Sequence, residues 1–355
     1  MILPKRRIGI GMIGAGMVGQ LAHIANFVQL PDACVVALAE LRPELGAEAA
    51  RRYGVARVYP SHRELLADPD VEAVIVVTRR PATGPIVLDA LQARRHVLSE
   101  KPMAHSVAQA RTLVEAARES AVRYSVAFMK RHDPGVVAAK SWIDESRRSG
   151  RLGPIVAVNA WCLGGDFNRH AGVHSMTEEP RPEGLILWPI APDWLPVELH
   201  QDYAWFTNVF VHDVNLLRFL LGDGLRVHSA DLRDRDRRTA SFDLGDIPVV
   251  LEMAELAVPD WREGVEIRFE RATMRLELRA PLDPNPARVV ITGADGRQED
   301  LTPPEGWAFR NQARAFVAEI ADDVPGLASG EDSIADMALI EDIWRAHVAG
   351  KGSAA

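Results

Sequence analysis

At 355 residues the chain exceeds the usual span of one domain, so two domains, each with its own core, are expected. A net charge of −8, with 47% hydrophobic and 25% charged residues, gives no electrostatic case for nucleic acid or an anionic membrane as partner, and the basic runs "KRR" and "RDRDRR" read as solvated faces. Cys34 and Cys162 fit neither a disulfide framework nor a thiolate metal site, no segment offers 18 uncharged apolar residues, and "MILPKRRIGIGMIGAG" is not a signal core; a reducing, cytoplasmic setting is the expectation.

In chain order, "RIGIGMI" reads as a buried strand and "GAGMVGQLAHIANFVQL" as a glycine turn opening a helix. Then come "ACVVALAE" (strand), "RPELGAEAARRYGV" (helix ending at Gly54), "EAVIVVT" (strand), "PIVLDALQARR" (helix), "HVLSEKP" (strand), "SVAQARTLVEAARES" (helix) and "RYSVAFM" (strand). Strands alternating with helices imply a parallel sheet covered on both faces, a doubly wound Rossmann domain over residues 1–126. Residues 127–355 are expected to form an α+β domain. It starts with the helix "GVVAAKSWIDESRRSG" and has a lid-like segment, rich in Pro, Trp, His and Gly, over about residues 163–207. The run "TNVFVHDVNLLRFLLG" reads as a helix with His212 near its start. Beyond it, "RVHSADLRD", "RTASFDLG", "PVVLEMAEL", "VEIRFERATMRLELRA" and "ARVVITGAD" suggest a large open, mainly antiparallel sheet, and two helices close the chain.

The turn Gly14-Ala15-Gly16-Met17-Val18-Gly19 has the G-x-G-x-x-G pattern of a dinucleotide site. Gly14 permits the tight turn, Gly16 leaves room for the pyrophosphate, Gly19 lets helix and strand pack, and the helix N-terminus stabilises the phosphate charge. Glu40, ending the second strand, suits the ribose hydroxyls and repels a 2′-phosphate, which favours NAD over NADP; Arg42 two residues later pulls the other way. Thr78, with Arg79 and Arg80, sits at the cofactor-facing edge of the next strand.

"HVLSEKPMAHS" carries Glu100-Lys101-Pro102, and with the glycine turn, the acidic residue and the "VIVVT" strand in register, the chain resembles the glucose-fructose oxidoreductase / inositol dehydrogenase / MocA family along nearly its whole length. The resemblance implies a nicotinamide-dependent oxidoreductase of sugars, sugar derivatives or cyclitols, assembled as a dimer or tetramer through its open sheet. It places Glu100 and Lys101 beside the cofactor and Lys101 on the reacting oxygen, where an ammonium stabilises developing alkoxide charge.

The family's second signature, D-x-x-x-H-x-x-D, here reads Asn208, His212 and Asn215, with Asp213 beside the expected register. An amide orients a hydroxyl but takes no proton, so His212 inherits the role of general base. Without the register, a lone histidine opening an apolar helix would be a cap or core residue. Asp213 is expected in the helix's first turn. Tyr203, with His200 and Asp202, offers a second acid. Lys130, Arg131 and Asp133 in "FMKRHDPG" either bind substrate hydroxyls or tie structure together. His170 and His174 lack a third ligand of characteristic spacing, and no metal is expected. Two other functions compete: a non-catalytic NAD-binding regulator, and glycoside elimination or hydrolysis through transient oxidation.

Overall fold

Six short strands make one parallel sheet: β1 (Ile8–Ile13), β2 (Ala33–Ala39), β3 (Arg57–Tyr59), β4 (Ala73–Val76), β5 (His96–Ser99) and β6 (Tyr124–Val126). Every residue of β1, β4 and β6 is buried, as strands covered on both faces require. The strand order is β3-β2-β1-β4-β5-β6, the doubly wound order whose direction of winding reverses between β1 and β4. The structure is a computed structural model that describes residues 6–180 and 183–352. Residues 1–5, expected to lead into the first strand, and Arg181 and Pro182 of the expected lid lie outside the described residues.

The crossovers obey their local signals. A π-helical turn (Gly19–Ile24) continues into α1 (Ala25–Phe27), and α2 (Pro43–Tyr53) begins with proline in its first turn and stops at Gly54. The short β3 and α3 (His62–Leu66) were not foreseen: three and five residues are too few to show a period. Two longer helices follow, α4 (Arg80–Gln92) and α5 (Val107–Ser120), the latter capped by the Ser106 hydroxyl, which accepts from the Gln109 N–H at 3.2 Å.

The chain divides into two compact units, and the division is not a single cut near residue 126. The first unit comprises Met1–Phe128, Gly172–Ala204 and Phe309–Ala335; the second comprises Met129–Ala171, Trp205–Ala308 and Asp336–Ala355. The late segment joins the first unit because α8 (Ala308–Ala321) buries its apolar stripe there. Ala313, Phe316 and Val317 share a core with Ile10, Met12, Phe27 and Leu38, and the Phe27 and Phe316 rings meet edge to face at 6.5 Å.

In the second unit, α6 (Pro134–Ser149), the strands β7 (Ile155–Gly164), β8 (Arg226–Asp234), β9 (Arg237–Leu244), β10 (Ile247–Met253), β11 (Arg262–Phe269), β12 (Ala272–Glu277), β13 (Arg288–Gly293) and β14 (Gln298–Asp300), and parts of two long helices come together. The eight strands form one open sheet in the order β14-β13-β12-β11-β7-β10-β9-β8. All pairs are antiparallel except β7 with β10. Val158, Ala160, Val249, Leu251, Val265, Ile267, Met274 and Leu276 point inward and are buried. Their alternates Asn159, Trp161, Val250, Glu252, Glu266 and Arg275 line the other face, half-buried or exposed. The long helices are α7 (His200–Leu221) and α9 (Gly330–Gly352); Phe206 and the fully buried Trp344 meet edge to face at 5.7 Å.

Helix α7 corrects one expectation. It starts at His200, so His212 and Asp213 stand mid-helix and Asp213 is not in a first turn. The helix is apolar nearly all round (Tyr203, Phe206, Phe210, Val211, Val214 and Leu217 are all buried), which erases the period that would mark its beginning.

Candidate active site

The expected cofactor residues of the first unit gather at the carboxyl ends of β1, β2, β4 and β5, flanking the point where the sheet reverses. Gly14 has φ +98°, and a Cβ there would stand 2.1 Å from the Val77 carbonyl oxygen; a Cβ on Gly19 would stand 2.6 Å from that of Gly14. Both positions therefore admit glycine alone. Nothing lies within 4 Å of a Cβ on Gly16, so that space is open for a ligand. A turn sealed on two sides and open on the third, followed by helical residues Met17 and Val18, fits a dinucleotide pyrophosphate.

Glu40 is 7% exposed and turned toward this turn: its carboxylate accepts from the Ala15 N–H at 2.8 Å and from the Arg42 Nε at 2.9 Å. Arg42 is thus already paired. Beyond β4, the Thr78 and Thr83 hydroxyls are 3.2 Å apart, and Arg79 is exposed immediately before α4.

Glu100 and Lys101 follow β5, and the Lys101-Pro102 peptide is cis. The Glu100 carboxylate lies 2.8 Å from His23 Nε2 and accepts from the Lys101 N–H at 3.2 Å. Burial pushes the Glu100 carboxyl up, but the His23 hydrogen bond and the charges of His23 and Lys101 outweigh it, and the net shift is downward. The ionised carboxylate so fixed holds Lys101's backbone. His23, on the π-helical turn, was not picked out from the sequence, where it is one histidine in an apolar run.

Next to the motif, His105 is 3% exposed, and burial, reinforced by the charge of Arg80, lowers its pKa to about 4. An unfolded histidine binds its proton near pH 6.5, so between pH 6.5 and 4 the unfolded chain holds more protons and stability falls as pH falls. We expect His105→Gln to be less acid-sensitive than the parent, with about 2 kcal/mol of this linkage absent at pH 5. Melting curves at pH 5 and 7.5 check this; an unchanged difference between the two pH values would contradict it.

In the second unit, Asn208 and His212 lie one turn apart on the same face of α7, both half-buried. Tyr203, in the first turn of α7 and assigned to the first unit, is fully buried. Asn215 does not join Asn208 and His212: its Oδ1 accepts from Arg131 Nε at 2.8 Å and its Nδ2 donates to Asp336 at 2.8 Å. Arg218 donates to Asp336 as well, at 2.5 Å.

Lys130, Arg131 and Asp133 of "FMKRHDPG" make buried contacts within the second unit. Asp133 caps α6, accepting from the Gly135 N–H at 2.8 Å, and also from the Ala287 N–H at 3.0 Å. Lys130 is ion-paired with Glu263, whose other oxygen accepts from Trp261 Nε1 at 2.8 Å. Asp213 and Cys162 join this buried group: donor atoms of Cys162, Asp213 and Glu263 lie within 4.8 Å of one another, and the Lys130 ammonium supplies the countercharge. Burial, then the Asp213 charge, pushes the Cys162 thiol up, so it stays protonated. No sequence spacing announced this cluster, which three separate elements and the loop before α6 assemble.

No helix forms through His170 and His174; His170 Nε2 lies 3.8 Å from the Asp283 carboxylate. Among the described residues the expected lid is irregular over 165–180 and 183–196, and its part within the first unit is hydrogen-bonded there. Gln20 donates to Ser175 O at 2.9 Å and accepts from its N–H at 2.8 Å, and the Trp188 N–H donates to Pro81 O at 2.8 Å. Among the described residues no helix is long and apolar enough to cross a membrane.

Residues 8–128 match the model of an oxidoreductase family with an NAD-binding Rossmann fold. Inositol 2-dehydrogenase of Rubrobacter xylanophilus is 31% identical over 335 residues, which cover 92% of this chain and 85% of the relative. Among solved structures, levoglucosan dehydrogenase in complex with NADH and levoglucosan superposes with a TM-score of 0.77 at 19% identity, covering 97% of this chain and 98% of that one. Aldose-aldose oxidoreductase of Caulobacter crescentus does so with 0.76 at 18%, with the same coverage. Those two likenesses show the fold; the inositol dehydrogenase, similar along nearly the whole chain, shows the kinship. With a glycine turn shaped for a dinucleotide and Glu100-Lys101-Pro102 at the end of β5, the chain belongs to the Gfo/Idh/MocA family of NAD-dependent oxidoreductases.

Proposed function

We propose that the protein transfers hydride between NAD and a secondary alcohol or ketone of a sugar, sugar derivative or cyclitol. The observation that carries this reading is the cofactor edge of the first unit: open space over Gly16, Glu40 turned toward the turn, and Lys101 held beside the ionised Glu100. The kinship with an inositol dehydrogenase supports a polyol substrate.

When bound, NAD supplies the hydride acceptor or donor. Gly14, Gly16, Met17 and Val18 hold its pyrophosphate end, Glu40 the adenosine ribose, and Thr78, Arg79 and Glu100 flank the remainder. Lys101 stabilises negative charge on the reacting oxygen, and His212 takes its proton on oxidation or returns it on reduction. Asn208, on the same face of α7, orients a neighbouring hydroxyl. His212 is preferred to Tyr203 for the proton because the residue is only half-buried whereas Tyr203 is fully buried. Lys130, Arg131 and Asp133 are left to hold the second unit together.

Assembly as a homodimer or homotetramer through the open sheet is part of this proposal. Its support is the uncovered face, where the half-buried Trp161 lies over Gly264 with Arg275 5.4 Å from its ring centroid. A cytoplasmic location fits the unbridged Cys34 and Cys162.

Net NADH formation with a panel of cyclitols, sugars and sugar nucleotides tests the reading. Turnover on at least one polyol supports it. Tight NADH binding with no turnover on any would favour the regulator, and a product released without net NADH change would favour transient oxidation.

A further inference from the structure

We propose that Glu179 sets cofactor selectivity: its carboxylate fills the anion site at the N-terminus of α2 that the 2′-phosphate of NADP would need. The inference rests on the NAD reading above and adds a residue to it from outside the nucleotide-binding sequence.

In a doubly wound sheet the adenosine ribose is met at the carboxyl end of β2, and α2 begins there, three residues after Glu40. Two positive features at this end would suit a phosphate. One is the run of unsatisfied N–H groups opening the eleven-residue α2; the other is the Arg42 guanidinium. Both are taken by carboxylates of this chain. Glu179 accepts from the Glu44 N–H through Oε1 and from the Leu45 N–H through Oε2, each at 2.9 Å, while the Thr177 hydroxyl donates to Oε2 at 2.8 Å. Glu40 holds Arg42 through Nε at 2.9 Å and Nη2 at 3.2 Å.

Glu179 does not reach this place by chance of a loose loop. The segment before it is fastened to the glycine turn's own helix: Gln20 donates to Ala15 O at 2.7 Å and exchanges two hydrogen bonds with Ser175. Arg52, at the far end of α2, donates to Val173 O at 2.6 Å. The bonds to Glu44, Leu45 and Thr177 and the charge of Arg42 outweigh desolvation and keep the Glu179 carboxyl below its ordinary range, so it is a fixed negative charge at neutral pH. A 2′-phosphate entering here would meet two carboxylates and would have to displace both from their donors. The ribose hydroxyls of NAD carry no charge and need only Glu40. Selectivity thus comes from a repulsive group as well as an attractive one.

Isothermal titration of the full chain with NADH and with NADPH tests this without any turnover. Glu179→Gln removes the charge while keeping an oxygen for the α2 N–H groups, and Glu179→Ala opens the site. We expect the parent to prefer NADH, and both variants to gain at least about tenfold in NADPH affinity with NADH affinity changed less than about threefold. NADPH affinity within twofold of the parent in both variants, with NADH still bound, would overturn the role of Glu179 and leave the NAD reading intact. Parallel loss of both dinucleotides would show Glu179 to be only a cap for α2 and would also overturn the proposal. A parent chain that binds neither dinucleotide would overturn the cofactor reading itself, and this inference with it.

Discussion

Lys101→Met is expected to lower kcat by on the order of two to four decades, the range for removing a group that stabilises charge and assists proton transfer at the reacting oxygen. Methionine keeps the length and most of the apolar stem of lysine, so the local packing after β5 is preserved. What disappears is the ammonium. Glu100 keeps its 2.8 Å link to His23, and the glycine turn is untouched, so the NADH dissociation constant is expected to stay within about threefold. Steady-state turnover together with an NADH titration separates the cases. Near-normal kcat would remove Lys101 from the mechanism, and equal losses in cofactor binding and turnover would make it a cofactor contact only.

Lys130→Met is expected to act on stability instead. The lysine is 7% exposed and Glu263 2% exposed, so the substitution leaves a buried carboxylate with the Trp261 N–H as its remaining named donor. Removing one partner of a buried pair costs about 3–5 kcal/mol, because the stranded charge loses its counterion without regaining water. For a unit of this size that is roughly 10 °C in the melting midpoint. Exchanging both partners for apolar residues of similar volume is expected to cost less than the single change. The check is a melting curve of the single and double variants beside KM for substrate. An unchanged midpoint with a raised KM would return Lys130 to the substrate site.

Much of the first unit was legible because its signals are local. A buried β-branched strand, a glycine turn and a capped helix each need only neighbouring residues, and Gly14, Glu40 and Lys101 stand at the strand ends where that pattern puts them. Five runs of the open sheet were read from period-2 alternation, the one at residues 265–280 holding most of β11 and all of β12; the alternation survives because one face is covered and the other is not. What escaped depends on distant partners. The start of α7 was hidden because the helix is apolar on nearly every side. The return of α8 to the first unit depends on Phe316 finding Phe27, a pairing with no trace in sequence order. Lys130, Arg131 and Asp133 looked equally suited to substrate and to structure. Their partners Glu263, Asn215 and the Ala287 N–H all lie far along the chain. The same holds for Glu179, one acidic residue in an irregular segment until α2 is seen to begin against it.

The most direct measurement of the central claim follows the hydrogen itself. A cyclitol or sugar on which the protein turns over, deuterated at every carbon, is oxidised with NAD, and the released cofactor is examined by NMR and mass spectrometry. Hydride transfer to nicotinamide predicts one deuterium at C4 of each NADH and one ketone formed per NADH. Product formed without deuterated NADH in solution would contradict net oxidoreduction and put transient oxidation in its place.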